Sequence, residues 1–172
     1  GRIDLILDGG PVGIGLESTI VDVTEEIPLL LRPGAITMEM LRELLGEVRI
    51  DPAILGPVGA DARPRAPGMK YRHYAPRAEM TLVEGGSAAV ARRIRELVDE
   101  RQKQGYTVGV ICTDETKESY PRGLVRSIGA RSDERSVARN LYALLREFDD
   151  LGADYIYSEK FSDERLGQAI MN

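Results

Sequence analysis

Cations, tyrosines and the only histidine of the chain are concentrated in Arg65-Ala66-Pro67-Gly68-Met69-Lys70-Tyr71-Arg72-His73-Tyr74-Ala75-Pro76. A purely flexible connector would be rich in Gly and Ser, whereas prolines on both sides stiffen this one. Lys and Arg can meet phosphate, and tyrosine can stack on a base or hydrogen-bond. Lys70, Tyr71, His73 and Tyr74 are therefore candidates for closing over an anionic, planar ligand such as a nucleotide. The same composition would also suit a basic linker lying on acidic surfaces. A second set is Ser18 and Thr19, at a loop-to-strand junction, with Arg32 just before Pro33-Gly34. Hydroxyls and a fixed guanidinium hold phosphate or carboxylate oxygens, Arg bidentately, although an Arg in a turn can equally be solvated. Gly85-Gly86-Ser87, where a strand meets a helix start, is a further possible anion site, with Ser87 as an ordinary N-cap the plainer reading.

Other chemistries are excluded. Gly13-x-Gly15-x-x-Ser18 nearly spells a dinucleotide fingerprint, but that motif must open a helix and Thr19-Ile20-Val21-Asp22-Val23 reads as a strand. No Gly-Lys-Ser/Thr follows, so there is no Walker loop. One cysteine, Cys112, and one histidine cannot build a Cys/His zinc site or an internal disulfide, so no structural metal is expected. With 23 basic and 28 acidic residues the net charge is −5, which disfavours general nucleic-acid binding. No apolar run reaches the length of a membrane span and no signal peptide opens the chain, so the expected compartment is the cytoplasm.

The elements that must position these residues fall into three segments of the 172 residues. Residues 1–50 carry 4 basic and 9 acidic side chains, 51–77 carry 5 and 2, and 78–172 carry 14 and 17. The middle segment holds five of the nine prolines, too many for a helix interior or central strand, and reads as an extended linker. The first segment reads as strand (Ile3 to Leu7), glycine-rich turn, strand (Ser18 to Val23), strand (Leu29 to Arg32) and one helix. Thr37 is the expected N-cap, Gly46 the C′ residue, and Met38, Leu41, Leu44 and Leu45 the buried face. Without an initiator Met, and with an apolar stretch needing a partner strand, this segment is expected to be the end of a larger domain. Residues 78–172 alternate strands (80–83, 106–112, 124–128, 155–157) with helices from Ser87 to near Gly105 and over 133–150. That alternation predicts a mostly parallel, Rossmann-like sheet able to fold alone.

Glu17-Ser18-Thr19-Ile20-Val21-Asp22, Leu31-Arg32-Pro33-Gly34-Ala35-Ile36-Thr37, Ala66 to Pro76 and Leu166-Gly167-Gln168-Ala169-Ile170-Met171-Asn172 resemble, in that order, the C-terminal half of two-domain threonylcarbamoyl-AMP synthases. The resemblance covers essentially the whole chain. It implies an α/β fold: the end of a YrdC-like catalytic domain (1–50), a linker and lid (51–77) and a Rossmann-like C-terminal domain (78–172). It also implies a nucleotidyltransferase that makes threonylcarbamoyl-adenylate and pyrophosphate from L-threonine, bicarbonate and ATP with Mg²⁺. The product would pass to tRNA-modifying proteins for threonylcarbamoyladenosine synthesis. Ser18, Thr19 and Arg32 would bind substrate or nucleotide, and Lys70, Tyr71, His73 and Tyr74 would form the lid; no catalytic residue is assigned. The Lys-x-Arg segment and further Ser/Asn motifs that the family carries ahead of the resembling part are not in this sequence, so the chain by itself is expected to be inactive. The competing expectation is a non-catalytic RNA-binding or ligand-sensing module of translation. Against an RNA surface stand the acidic balance and only two Phe.

Overall fold

Two separate sheets organise the residues that the structure, a computed structural model, describes: 2–10, 12–55, 74–162 and 164–171. In the first unit, β1 (Ile20–Asp22) runs antiparallel to β2 (Leu29–Arg32), with a bulge between Ile20 and Val21. Helix α1 (Met38–Leu45) follows. Thr37 caps it by accepting the Met40 N–H at 3.4 Å, and Gly46, at φ 79°, donates back to the Arg42 carbonyl at 2.9 Å. Strand β3 (Arg49–Ile50) then lies parallel to β2. Its small core is Leu30, Met38, Leu41 and Val48.

Three expectations for this unit are corrected. Leu44 is 82% exposed and Leu45 43%, because an eight-residue helix lying on a three-stranded sheet covers it only with its first turns. Ile3 to Leu7 is not a strand: no described segment pairs with it, and a strand exists only through its ladder. Residues 51–55, read as the start of an extended linker, instead form the short helix α2 (Pro52–Leu55). Pro52 occupies the first helical position, where a missing N–H costs nothing, and Asp51 Oδ1 accepts the Ala53 N–H at 2.9 Å.

The second unit matches the expected alternation closely. Its elements are β4 (Glu79–Val83), α3 (Ser87–Lys103), β5 (Val108–Cys112), β6 (Leu124–Ser127), α4 (Glu134–Asp150), β7 (Tyr155–Glu159) and α5 (Leu166–Met171). The sheet order is β4-β7-β5-β6 and every pairing is parallel. Side chains alternate between faces: Val108, Val110 and Cys112 pack with Val90, Ile94 and Val98 of α3, while Ile111 and Ile156 pack with Val137, Leu145 and Phe148 of α4. A sheet buried on both faces needs such apolar runs, each fully buried aliphatic side chain contributing about 1.5–3 kcal/mol. Gly109 makes room for Phe148, whose ring would lie 2.7 Å from a Cβ there. Asp133 caps α4 by accepting the Ser136 N–H at 3.2 Å. Gly86, not Ser87, is the N-cap of α3. No described helix is long and apolar enough to cross a membrane.

Candidate functional site

The end of β2 places Arg32 beside the residues that precede β1. Its Nε donates to the Ser18 carbonyl at 2.9 Å, Nη2 donates to Ser18 Oγ at 3.1 Å, and Nη1 lies 3.5 Å from Glu17 Oε1. Two bonds from one guanidinium to one residue fix the plane of the fork. Because Ser18 Oγ accepts from Arg32, its own hydroxyl proton is left to donate elsewhere, and Ser18 is exposed. The arrangement sets a cation paired with a carboxylate beside an exposed hydroxyl.

Thr19 has a different task. Its Oγ1 donates to the Ile36 carbonyl at 2.9 Å and accepts the Ile36 N–H at 3.1 Å, so the hydroxyl latches the 33–37 turn onto β1. Gly34 completes the latch: a Cβ there would sit 2.5 Å from the Glu17 carbonyl and 2.7 Å from Thr19 Oγ1. Only a residue without a side chain allows this approach. Of the sequence-predicted residues, Ser18, Thr19 and Arg32 thus come together, with Ser18 and Arg32 presenting polar groups and Thr19 holding the loop.

Tyr74 lies on the same side of the molecule; Lys70, Tyr71 and His73 lie outside the described residues. Its ring meets that of Tyr142 on α4, with centroids 4.9 Å apart and planes at 44°. Glu17, Tyr74 and Tyr142 line one cleft of about 830 Å³, together with Ile14, Gly15 and Arg139. Burial raises the Tyr142 hydroxyl above its usual pKa, and the Glu17 charge adds to the effect. Tyr142 was not singled out from sequence. It packs partly against the same core as Leu141 while also lining the cleft, and no motif marks it.

The Gly85-Gly86-Ser87 segment borders a second cleft, of about 400 Å³, at the C-terminal ends of β4 and β7. Its charges are paired with one another: Lys160 Nζ with Glu84 at 3.1 Å, and Arg131 with buried Glu159. Tyr120 OH donates to Glu159 Oε1 at 2.7 Å. Among the described residues no group of three or more His, Cys, Asp or Glu could hold a metal ion.

Residues 36–172 match the family model described as threonylcarbamoyl-AMP synthase, C-terminal domain. Over all 172 residues the chain is 43% identical to a threonylcarbamoyl-AMP synthase of Bacillus subtilis (strain 168) and 44% identical to one of Pyrococcus abyssi (strain GE5 / Orsay), covering 48% of each. A Schizosaccharomyces pombe synthase is 35% identical. The chain thus spans about half the length of the curated relatives it matches. The crystal structure of P. abyssi Sua5 complexed with L-threonine superposes with a TM-score of 0.86 at 42% identity, over 99% of this chain and 48% of that one. A double-alanine variant of P. abyssi Sua5 gives 0.84 over 95% of this chain.

Proposed function

Because the chain belongs to the threonylcarbamoyl-AMP synthase C-terminal domain family, we propose that it serves as the corresponding half of a synthase joining L-threonine, bicarbonate and ATP. The activity is that of the longer protein, since relatives carry as much chain again beside the matched part. The observation that carries the reading is the guanidinium of Arg32, held in plane by the Ser18 carbonyl and hydroxyl and paired with Glu17, which lines the cleft. A relative of the same fold was crystallised with L-threonine.

The chemistry follows from what such a site can stabilise. The amine of threonine and bicarbonate give a carbamate with loss of water. A carbamate oxygen then forms a bond to the α-phosphorus of ATP, and the bond from that phosphorus to the bridging oxygen breaks, so that pyrophosphate leaves with the electron pair. This is a nucleotidyl transfer, in which proteins act mainly by position and charge. Arg32 neutralises charge gathering on the phosphoryl or acyl oxygens, and the Ser18 hydroxyl donates to one of them. Thr19 and Gly34 keep both in register. Tyr74, with Lys70, Tyr71 and His73, takes the part of a lid that keeps water from the mixed anhydride. The described residues offer no carboxylate set for Mg²⁺, and no step is assigned to it. The adenylate would pass to tRNA-modifying proteins in the cytoplasm.

The test is pyrophosphate release by the full-length protein. It should require threonine, bicarbonate and ATP together; release from ATP alone at the same rate would sink the reading.

A further inference from the structure

Helix α4 belongs to the second unit, yet one of its stripes faces the first. Gly15 rests on its backbone so closely that a Cβ would lie 2.5 Å from the Arg139 carbonyl oxygen and 2.8 Å from that of Ala138. One turn on, Tyr142 meets the Tyr74 ring. A further turn on, Arg146 Nη2 donates to the carbonyls of Tyr74 and Ala75 at 2.9 and 3.0 Å. Its Nη1 pairs with Asp149 Oδ2 at 2.9 Å, and Asp149 Oδ1 accepts the Arg77 N–H at 2.7 Å. Positions 138, 142 and 146 repeat every fourth residue, so they share one face. Tyr74 has φ 58°, a backbone that an L residue keeps only when its surroundings hold it there.

We infer that this stripe of α4 is the second wall of the Arg32 site, with Tyr142 and Arg146 as positioning residues. Arg146 clamps the Tyr74 carbonyl, the rings of Tyr74 and Tyr142 occupy the cleft wall beside Glu17, and Glu17 holds the Arg32 guanidinium. The second unit therefore contributes to the site through Glu17 and Arg32 without touching substrate. The inference rests on reading Arg32 as the group that meets the anion. Plain interface packing would also bring two rings together, but it would not bear on Arg32 in particular.

The experiment has two arms. In the ¹⁵N-labelled full-length protein, hydrogen exchange of the Arg32 Nε–H, which is bonded to Ser18, is compared with that of the Ile36 N–H, which is bonded to Thr19. Tyr142→Ala and Arg146→Gln should each speed Arg32 exchange roughly fivefold, the scale of one lost aromatic or charge-assisted contact. Ile36 should stay unchanged, and Tyr142→Phe should restore the slow rate. In the full-length protein, kcat/KM should fall by a similar factor in Tyr142→Ala and recover in Tyr142→Phe, and Tyr142→Ala should add little to Arg32→Lys because both act on one group. Unchanged Arg32 exchange, or equal acceleration at Arg32 and Ile36, overturns the wall. Absence of threonine-dependent turnover in the wild-type protein overturns the synthase reading instead, and the exchange arm still decides the wall.

Discussion

Gly34→Ala puts the smallest side chain where the site allows none. Gly34 is not among the residues at positive φ, so alanine suits its backbone. With free space the change would stabilise by about 0.4–1 kcal/mol through the unfolded chain. Space is absent: the new Cβ would lie 2.5 Å from the Glu17 carbonyl and 2.7 Å from Thr19 Oγ1, and ordinary contact begins at 3.4 Å. Those atoms, one of them backbone, must move by most of an ångström. Overpacking of this kind costs about 1–3 kcal/mol, so the net should be about 1–2 kcal/mol destabilising. For a chain of this size that is roughly 2–8 °C in melting temperature. The same shift drags Ser18 and the Arg32 it holds, so turnover of the full-length protein should fall roughly 10- to 100-fold. Gly13→Ala is the control, because nothing lies within 4 Å of its Cβ. Thermal melting followed by circular dichroism, with a pyrophosphate assay, reads both effects. A Gly34→Ala protein that melts and turns over like the wild type would refute the latch.

Arg32→Lys should keep the fold, since exposed Ser18 and half-buried Glu17 can rehydrate, but it loses the planar fork, and turnover is expected to drop about tenfold or more; wild-type rates would leave Arg32 a purely structural role. Phe148→Ala empties a fully buried site against Gly109 and should cost about 3–5 kcal/mol by denaturant titration; a loss below 1 kcal/mol would mean the core closes over the gap. Burial, aided by the Glu159 charge, pushes the Cys112 thiol up from 9.0 to about 12. The folded state thus favours the neutral thiol, a contribution complete below about pH 9 and lost as pH rises toward 12. Iodoacetamide at pH 8 should accordingly modify Cys112 only in urea, and rapid native labelling would contradict its burial. Residues 78–172 expressed alone should melt in one cooperative transition, whereas a molten product would show that preceding residues, such as Tyr74 to Arg77 bound to α4, complete their core.

Local rules made much of this legible. Thr37 and Gly46 bracket α1 because capping depends on neighbours in sequence, and the 3.6-residue stripes of α3 and α4 follow from their burial on a sheet. Elements that exist only through distant partners were not legible. Strand β3 is two residues long and is defined by its pairing to β2, whereas Ile3 to Leu7 looks like a strand and has no ladder. Pro52 reads in the sequence as a breaker, whereas it opens α2, a position that proline suits. At the site, Ser18 and Arg32 could be singled out from residue type and motif. The wall from α4 could not, since Gly15 and Arg139 meet across more than a hundred residues and Tyr142 carries no local signal.

The most direct measurement is product identity. Full-length protein is incubated with ATP, L-threonine and ¹³C-bicarbonate, and the nucleotides are resolved by mass spectrometry. The account predicts an adenylate containing threonine and one ¹³C, formed with an equivalent of pyrophosphate and greatly reduced in Arg32→Lys. An adenylate of threonine lacking the labelled carbon, or no adenylate while ATP is consumed, would contradict it.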